Sequence, residues 1–355
     1  DGQFVDLTRQ SGVRLWARCG TAAARLLFEL HHSCCDGLGG FRFVGDVLAA
    51  YARQTSGDSA AKLPPLDAEL LEGRGTFGIT RPTPREWIGH AAYTLTDGLR
   101  LMARRPLAVA VPQTNSDTTV HSPPVHRIET RILDPAELDA LQRAARASGV
   151  TVNDLLLCYL FAALLDWNRV HGRREPRGWL RVNVPTNLRR REDERMPAAN
   201  VMSFAFLDRH TRDCQDLAGL LQSIRRETKA IKDRRLGLYF IVQMGILAAI
   251  PGALPFALSR GRCLATAVLT NVGDLTGPWS EQLPRQGDKL AVGNLVLESV
   301  GGTPPLRRLT HVGVGVATYG GRMSVSLLCD RHCFNQEQAG QFLDSYVARI
   351  LAGVE

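Results

Sequence analysis

The chain has 355 residues, of which 45% are hydrophobic and 22% are charged, and its formal net charge at pH 7 is +8. These fractions are those of a globular protein with ample material for buried cores, and the length predicts two domains. The positive charge is dispersed and is not interleaved with aromatic residues, which argues against a nucleic-acid partner. It suits an anionic partner instead, such as a phosphorylated substrate, an acidic protein or an anionic membrane surface.

The eight cysteines form no C-x-x-C pair and no dense framework, which predicts reduced thiols in a cytoplasmic setting. Cys158 lies in an apolar run and is expected to be a buried small hydrophobe. Cys329, His332 and Cys333 form a possible metal trio, but no fourth ligand is evident. A strand end followed by a turn explains this trio at least as well, and we therefore expect no resident metal ion.

In chain order, the first predicted elements are strands near 13–18 and 22–31, followed by a helix over 37–53. Between them stands the sequence His-His-Ser-Cys-Cys-Asp-Gly at 31–37. It is typical of a strand that delivers two histidines into a tight loop with a helix behind it. The glycines of this region allow a sharp turn and a close backbone approach.

Strand alternation points His31 and His32 in opposite directions, so at most one of them can face a given pocket. Imidazole titrates near neutral pH and is the usual general base for a hydroxyl or an amine. Two other interpretations stay open. Asp36 can simply be the N-cap of the following helix, and His31, Cys34 and Cys329 can be soft metal ligands.

Beyond this motif, a helix is predicted near 84–104, and the polar, proline-bearing stretch 113–124 is predicted to be a linker. We therefore expect an N-terminal part at 1–112 and a C-terminal domain at 125–355. The predicted elements of the C-terminal domain are helices at 135–148, 152–168, 214–235 and 237–258, strands near 125–133, 179–185, 200–207, 265–272, 294–300, 310–318 and 322–329, and a closing helix after Asn335. Such irregular alternation of strands and helices predicts α+β sandwiches.

The segment from Gly237 to Leu258 carries no charge and is long enough to suggest a membrane span. Pro251, Pro255 and Gln243 interrupt a continuous apolar helix. The segment is therefore predicted to be a pair of short helices that are buried or line a tunnel. The alternative is an interfacial patch that touches lipid, which would give peripheral membrane contact through 237–258.

Several stretches resemble one known family in the expected order. The stretch 31–37 fits the pattern His-His-x-x-x-Asp-Gly, and further matches lie at 150–157, 184–189, 200–203 and 270–278. Together they resemble the chloramphenicol-acetyltransferase-like superfamily of acyltransferases. This superfamily includes the condensation domains of peptide synthetases and the wax ester synthase/diacylglycerol acyltransferases. The resemblance runs from about residue 24 to the C-terminus.

The resemblance implies an α+β fold of two chloramphenicol-acetyltransferase-like sandwich subdomains with an active-site tunnel between them. It implies that His32 is the catalytic base and that Asp36 organises the loop through an ion pair with an arginine. Gly37 would keep the floor of the channel open, and His31 would contact substrate.

Other matching residues are expected to bind substrate from the far side of the tunnel, namely Thr270 and Asn271. Asn153, in the Asn-Asp segment of the wax synthase branch, is a further candidate for substrate binding. A structural role is favoured there, because Thr151 is placed as an N-cap and Asp154 as the third helical residue of a capping box.

Two departures from the family pattern lead to further expectations. The motif lies well over a hundred residues into family members but starts at residue 31 here, and the chain begins with Asp. We therefore expect an incomplete first subdomain that lacks its front, together with the arginine that would pair with Asp36. At 273–275 the sequence Gly-Asp-Leu stands where the wax synthase type has Pro-Gly, so the branch stays open.

The function implied is that of an acyltransferase. It would move an acyl group from a thioester, on coenzyme A or on the phosphopantetheine of an acyl carrier protein, to an alcohol or amine acceptor. No bound cofactor is expected besides this co-substrate. The alternative is a catalytically inactive, condensation-like binding module that docks carrier proteins or partners, although retention of both histidines weighs against it.

Overall fold

In the computed structural model of the chain, the described residues are 5–76, 84–112, 128–172, 174–257, 261 and 263–354. For 74–76, 84–92 and 257 the description covers the backbone alone.

Helices and strands follow one another in a mixed order, as the sequence predicts. The helices are α1 (Gly37–Ser56), α2 (Pro84–Ala103), α3 (Pro135–Ala147), α4 (Val152–His171), α5 (Leu217–Asp233), α6 (Gly237–Ala249), α7 (Ala253–Ala257), α8 (Thr276–Ser280) and α9 (Gln336–Ala352). The strands are β1 (Val13–Cys19), β2 (Ala24–Leu30), β3 (Ile128–Leu133), β4 (Trp179–Asn187), β5 (Met202–His210), β6 (Ala267–Asp274), β7 (Arg285–Gln286), β8 (Lys289–Val292), β9 (Leu295–Leu297), β10 (Val312–Tyr319) and β11 (Arg322–Cys329). The α+β fold class is confirmed, whereas the short strands β7 and β8 were not predicted.

The chain divides into two compact units that are discontinuous in sequence. Unit 1 comprises 1–78, 187–202 and 274–299, and unit 2 comprises 79–186, 203–273 and 300–355. The segment after α2 belongs to unit 2, where the backbone N–H of Leu107 donates to the carbonyl of Trp179 and the indole of Trp167 donates to the carbonyl of Ala110. The boundaries expected from sequence, 1–112 and 125–355, stay a prediction, and the linker at 113–124 lies outside the described residues.

Unit 1 contains an antiparallel hairpin of β1 and β2, the helix α1 and a small sheet of β7, β8 and β9. The hairpin register pairs Val13 with Leu30 and Cys19 with Ala24. Helix α1 buries Leu48, Ala49 and Ala52, which recur at helical spacing. The hairpin therefore leads straight to the loop that carries the two histidines, and α1 anchors the far end of that loop.

Unit 2 is built on a six-stranded sheet with the order β3-β11-β10-β6-β4-β5. The pairs β10/β11 and β11/β3 are antiparallel, and β4/β6 is parallel. Helix α4 is buried along nearly its whole length and forms the centre of the core with α5 and α9. Cys158 is 1% exposed within this core, as predicted.

The uncharged segment 237–258 forms two short helices, α6 and α7, with a break that contains Pro251. The predicted pair of short helices is confirmed, and its physical reason is the missing N–H and the ring of proline. The expected burial is wrong, because Gly237 and Gln243 are the only buried residues of α6, and a position along a tunnel stays a prediction. Among the described residues no single helix is both long and apolar enough to cross a membrane. The pair of α3 and α4 passes that test together but is bent by 98°.

Candidate active site

The histidine loop begins where β2 ends at Leu30 and closes where α1 begins at Gly37. The backbone N–H of His31 donates to the carbonyl of Gly12 at 2.7 Å, and the N–H of Cys34 donates to the carbonyl of His31 at 2.8 Å. The bond of His31 to Gly12 continues the register of the hairpin one pair beyond β2, and the turn follows at His32. The opposite directions that strand alternation predicts for the two histidines stay a prediction.

Asp36 is the N-cap of α1 and is 5% exposed. Its Oδ1 accepts a hydrogen bond from the N–H of Gly39 at 2.8 Å. Its Oδ2 accepts from Nη1 of Arg189 at 2.8 Å and from the N–H of Val201 at 2.7 Å. A buried carboxylate needs such partners because it has lost its water. Both oxygens are therefore occupied by fixed donors, two of them on backbone.

Arg189 is the residue that sequence reasoning placed wrongly. We expected the arginine partner of Asp36 to be missing with the front of the first subdomain. Instead Arg189 is half-buried, and its Nη2 donates to the carbonyl of Ala199 at 2.7 Å while Nη1 bonds Asp36. The signal was available, since Arg189 closes the matching stretch 184–189.

Two further contacts tie the histidine loop to the segment 199–201. Nδ2 of Asn200 donates to the carbonyl of His32 at 2.7 Å. A Cβ on Gly39 would lie 2.6 Å from the carbonyl oxygen of Ala199, so only glycine fits this approach of the two backbones. The position of His32 is thus fixed at its own carbonyl and, four residues later, at Asp36.

The side chains of the loop differ in what chemistry they can do at neutral pH. Nδ1 of His31 lies 2.7 Å from Oγ of Ser33 and 3.3 Å from its backbone N–H, which makes Nδ1 an acceptor. Burial, with the neighbouring charge of Asp36 next, raises the pKa of Cys35 to about 11. Cys35 is accordingly a protonated thiol and a poor nucleophile, which leaves the imidazoles as the candidate bases.

The remaining predicted site residues belong to unit 2. Asn153 is half-buried at the second position of α4, and Thr270 is half-buried on β6. Asn271 is exposed, and its Oδ1 accepts from the N–H of Gly273 in a local turn. A role for these three residues toward substrate stays a prediction.

The capping box before α4 is present as expected. The N–H of Asp154 donates to Oγ1 of Thr151, and the N–H of Thr151 donates to Oδ2 of Asp154. Oδ1 of Asp154 also accepts from the hydroxyl of Thr228 on α5 at 2.6 Å. Asp154 therefore fixes the start of α4 against α5, which is a structural role.

Comparison with known proteins gives distant relatives. No protein-family model matches the chain. Two uncharacterized proteins, from two strains of Mycobacterium tuberculosis, are each 23% identical over 349 residues, which cover 93% of this chain and 73% of the relative.

Solved structures also match nearly the whole chain, at lower sequence identity than these two proteins. The first condensation domain of the calcium-dependent antibiotic synthetase gives a TM-score of 0.58 at 14% identity, over 96% of this chain and 66% of that one. The chain has the condensation-domain fold. The epimerization domain from the third module of tyrocidine synthetase B gives a TM-score of 0.61 at 16% identity, over 99% of this chain and 73% of that one. Polyketide synthase associated protein 5 from Mycobacterium tuberculosis gives a TM-score of 0.61 at 14% identity, over 100% of this chain and 79% of that one.

This shared architecture confirms the two-subdomain fold expected from the resemblance. It does not by itself decide the reaction, because one fold hosts several chemistries and function depends on the site. The epimerization domain among these structures, named for a reaction other than condensation, illustrates the point. The function of the chain therefore depends on the residues of the histidine loop.

Proposed function

We propose that the chain is an acyltransferase in which His32 is the general base. The acyl group would come from a thioester on coenzyme A or on the phosphopantetheine of a carrier protein, and the acceptor would be an alcohol or an amine. The single observation that carries the proposal is the anchoring of the motif at 31–37. The buried ion pair of Asp36 with Arg189 holds this loop in place.

The anchoring matters because general-base catalysis depends on position before it depends on basicity. Asn200 holds the carbonyl of His32, and Asp36 holds the start of α1. Asp36 has both oxygens engaged by other donors, so in this proposal it is a fixed anion that positions the loop and not a proton relay. The imidazole of His32 would then act alone as the base.

The proposed reaction runs in two steps. His32 takes the proton of the acceptor O–H or N–H as the acceptor oxygen or nitrogen attacks the thioester carbonyl, which gives a tetrahedral oxyanion. The C–S bond then breaks, and the proton passes from His32 to the departing thiolate. Hydrogen-bond donors near the carbonyl would stabilise the oxyanion. We assign substrate contacts to His31, Thr270, Asn271 and Asn153 from the resemblance alone.

The donor class is supported by charge and by the fold. Coenzyme A and phosphopantetheine-bearing carriers are anionic, and the chain carries 43 basic against 35 acidic residues. The matching structures include domains of antibiotic and tyrocidine synthetases and a polyketide synthase associated protein. We propose that the partner is an acyl-coenzyme A or an acyl carrier protein, with no further cofactor.

A lipid surface is the additional partner that we propose for unit 2. Val242 and Ile246 lie four residues apart on α6, Ile250 directly follows the helix, and the three are 42%, 51% and 53% exposed. Helix α2 packs against α6 through Tyr93 and Tyr239, whose ring centroids are 4.8 Å apart, and it adds exposed apolar residues of its own.

These exposed residues on α2 are Leu95 and Leu99. Arg234 and Arg235, both exposed, lie in the turn before α6 and would meet anionic headgroups. An apolar helix face bordered by basic residues is the pattern of an interfacial helix. A hydrophobic acyl acceptor would then reach the enzyme from the bilayer surface.

The test of the acyltransferase proposal is thiol release from a panel of acyl-coenzyme A donors of different chain length, with and without alcohol acceptors. The native chain is compared with His32→Gln, which keeps a polar side chain of similar length but has no titratable nitrogen. Acceptor-dependent release should fall at least about 100-fold in His32→Gln, as loss of a general base predicts.

His332→Ala is the matched control, since His332 is an exposed histidine of unit 2 outside the motif. It should retain native activity. An active, folded His32→Gln protein would overturn the assignment of the base. If neither acyl-coenzyme A nor a carrier-bound donor gives acceptor-dependent thiol release, the inactive binding module is favoured instead.

A further inference from the structure

A second cluster of reactive side chains lies at one end of the β10/β11 hairpin, within unit 2. His311 directly precedes β10, and Asp330 and Cys333 follow β11 before α9 begins. One ligand atom from each of the three lies within 4.8 Å of the others. This set differs from the trio considered from sequence. Cys329 points into the core cluster, and His332 is exposed.

The backbone holds the three residues in place. The register of the hairpin pairs Val312 with Cys329, so His311 and Asp330 are the next pair outward. The N–H of Asp330 donates to the carbonyl of His311 at 3.0 Å, and the N–H of Cys333 donates to the carbonyl of Asp330 at 2.9 Å. Position and direction of each side chain are therefore set by the strand pairing and by one tight turn.

The side chains lie close together. Nδ1 of His311 lies 3.2 Å from Oδ2 of Asp330, whereas Sγ of Cys333 lies 3.8 Å from the other ring nitrogen, Nε2. With one ligand atom taken from each residue, the three atoms lie within 4.8 Å of one another. In a tetrahedral zinc site, metal–ligand bonds of about 2.0–2.3 Å place the ligand atoms roughly 3.4–3.6 Å apart, so a bound ion would draw the three side chains closer together.

We propose that His311, Asp330 and Cys333 bind a divalent transition-metal ion of the zinc class. One imidazole nitrogen, one carboxylate oxygen and one thiolate form a mixed N/O/S donor set that suits Zn²⁺ and not the oxygen-seeking Mg²⁺ or Ca²⁺. Binding replaces the proton of the Cys333 thiol, which passes to the buffer. Three protein ligands leave the fourth tetrahedral position to water, and the ion would link the start of β10 to the turn before α9.

The cluster is shielded from water, which strengthens its attraction for a cation. The side chain of His311 is 8% exposed and that of Asp330 is 25% exposed. Asp330 is fixed further, because its Oδ1 accepts from the N–H of His332 at 3.0 Å. A hydrogen bond of the kind that orients a metal-binding carboxylate is thus already in place.

The experiment uses the full chain, stripped with a chelator and titrated with Co²⁺, whose bond to a thiolate gives a near-ultraviolet charge-transfer band. We expect the band to saturate at one equivalent and to disappear when Zn²⁺ is added. Cys333→Ser should lose the band and weaken Zn²⁺ binding at least about 100-fold, since loss of outer-shell partners alone costs 10–100-fold. Zn²⁺ should also raise the melting temperature of the native chain and not that of Cys333→Ser.

Two controls have matched chemistry: His332→Ala removes the neighbouring exposed histidine, and Cys34→Ser removes an exposed thiol of unit 1. Both should bind Co²⁺ as the native chain does. If Cys333→Ser misfolds by circular dichroism, Asp330→Asn gives the second test and should weaken binding in the same way. Absence of saturable binding, or a band that survives in Cys333→Ser, would overturn the proposal.

Discussion

Removal of Arg189 tests whether the histidine loop depends on the buried ion pair. In Arg189→Ala the carboxylate of Asp36 loses its charged partner but keeps the N–H donors of Gly39 and Val201. Breaking a buried pair from one side costs about 3–5 kcal/mol. Because two donors remain and the Arg189 side chain is 17% exposed, we expect the lower end, about 3 kcal/mol.

Native-state hydrogen exchange is the appropriate assay, because it reports the stability of particular segments. The amides of Gly39 and Val201 donate directly to Asp36, so peptides that contain them report on the pair. A loss of about 3 kcal/mol corresponds to a fall in protection of more than about 100-fold. Peptides from α4, in unit 2, should keep their native protection.

Arg191→Ala is the control for Arg189→Ala, since Arg191 is an exposed arginine two residues further on. It should change stability by less than about 0.5 kcal/mol. A fall in protection of less than about tenfold in Arg189→Ala would contradict the role assigned to the ion pair. Such a result would mean that the backbone donors alone hold Asp36.

Three further predictions follow from packing, burial and exposure. Gly39→Ala should lower the free energy of unfolding in urea by about 1–3 kcal/mol, because the added Cβ meets the carbonyl of Ala199. The control Gly245→Ala has open space around the added Cβ and should raise the free energy of unfolding by up to about 1 kcal/mol. Equal effects of the two substitutions would contradict the close approach of Gly39 to Ala199. Burial raises the pKa of Cys35 to about 11 and those of Cys158 and Cys214 to about 12. The unfolded chain therefore loses protons that the folded chain keeps, and stability should fall as pH rises from 9 to 11. A free energy of unfolding that stays constant between pH 9 and 11 would contradict this prediction. Cys158→Ala should make the fall of stability with pH less steep. The double substitution Ile246→Glu and Ile250→Glu should weaken binding to phosphatidylglycerol vesicles at least tenfold in co-sedimentation. The control Val170→Glu changes an apolar residue of unit 2 that is 75% exposed, and it should bind the vesicles as the native chain does. An equal loss of binding in the two proteins would contradict the proposed lipid surface.

Local signals in the sequence determined most of the helices and strands. Apolar periodicity, N-caps such as Thr151 and Asp134, and the proline break after α6 act within a few residues, so they can be found without knowledge of the fold. The same holds for the motif at 31–37, whose residues are neighbours in the chain. The short strands β7 and β8 were missed, because two to four residues carry too little periodicity to be distinguished from a turn.

Tertiary structure decided which distant residues meet. Asp36 and Arg189 are 153 positions apart, and no local pattern states that the chain between them returns to the same place. His311 and Asp330 are paired by the register of a hairpin, in which a shift of one residue would turn every side chain to the other face. The sequence could therefore identify the histidine motif and its loop, whereas the ion pair that holds the loop and the cluster at the end of β10 and β11 depend on the folded chain.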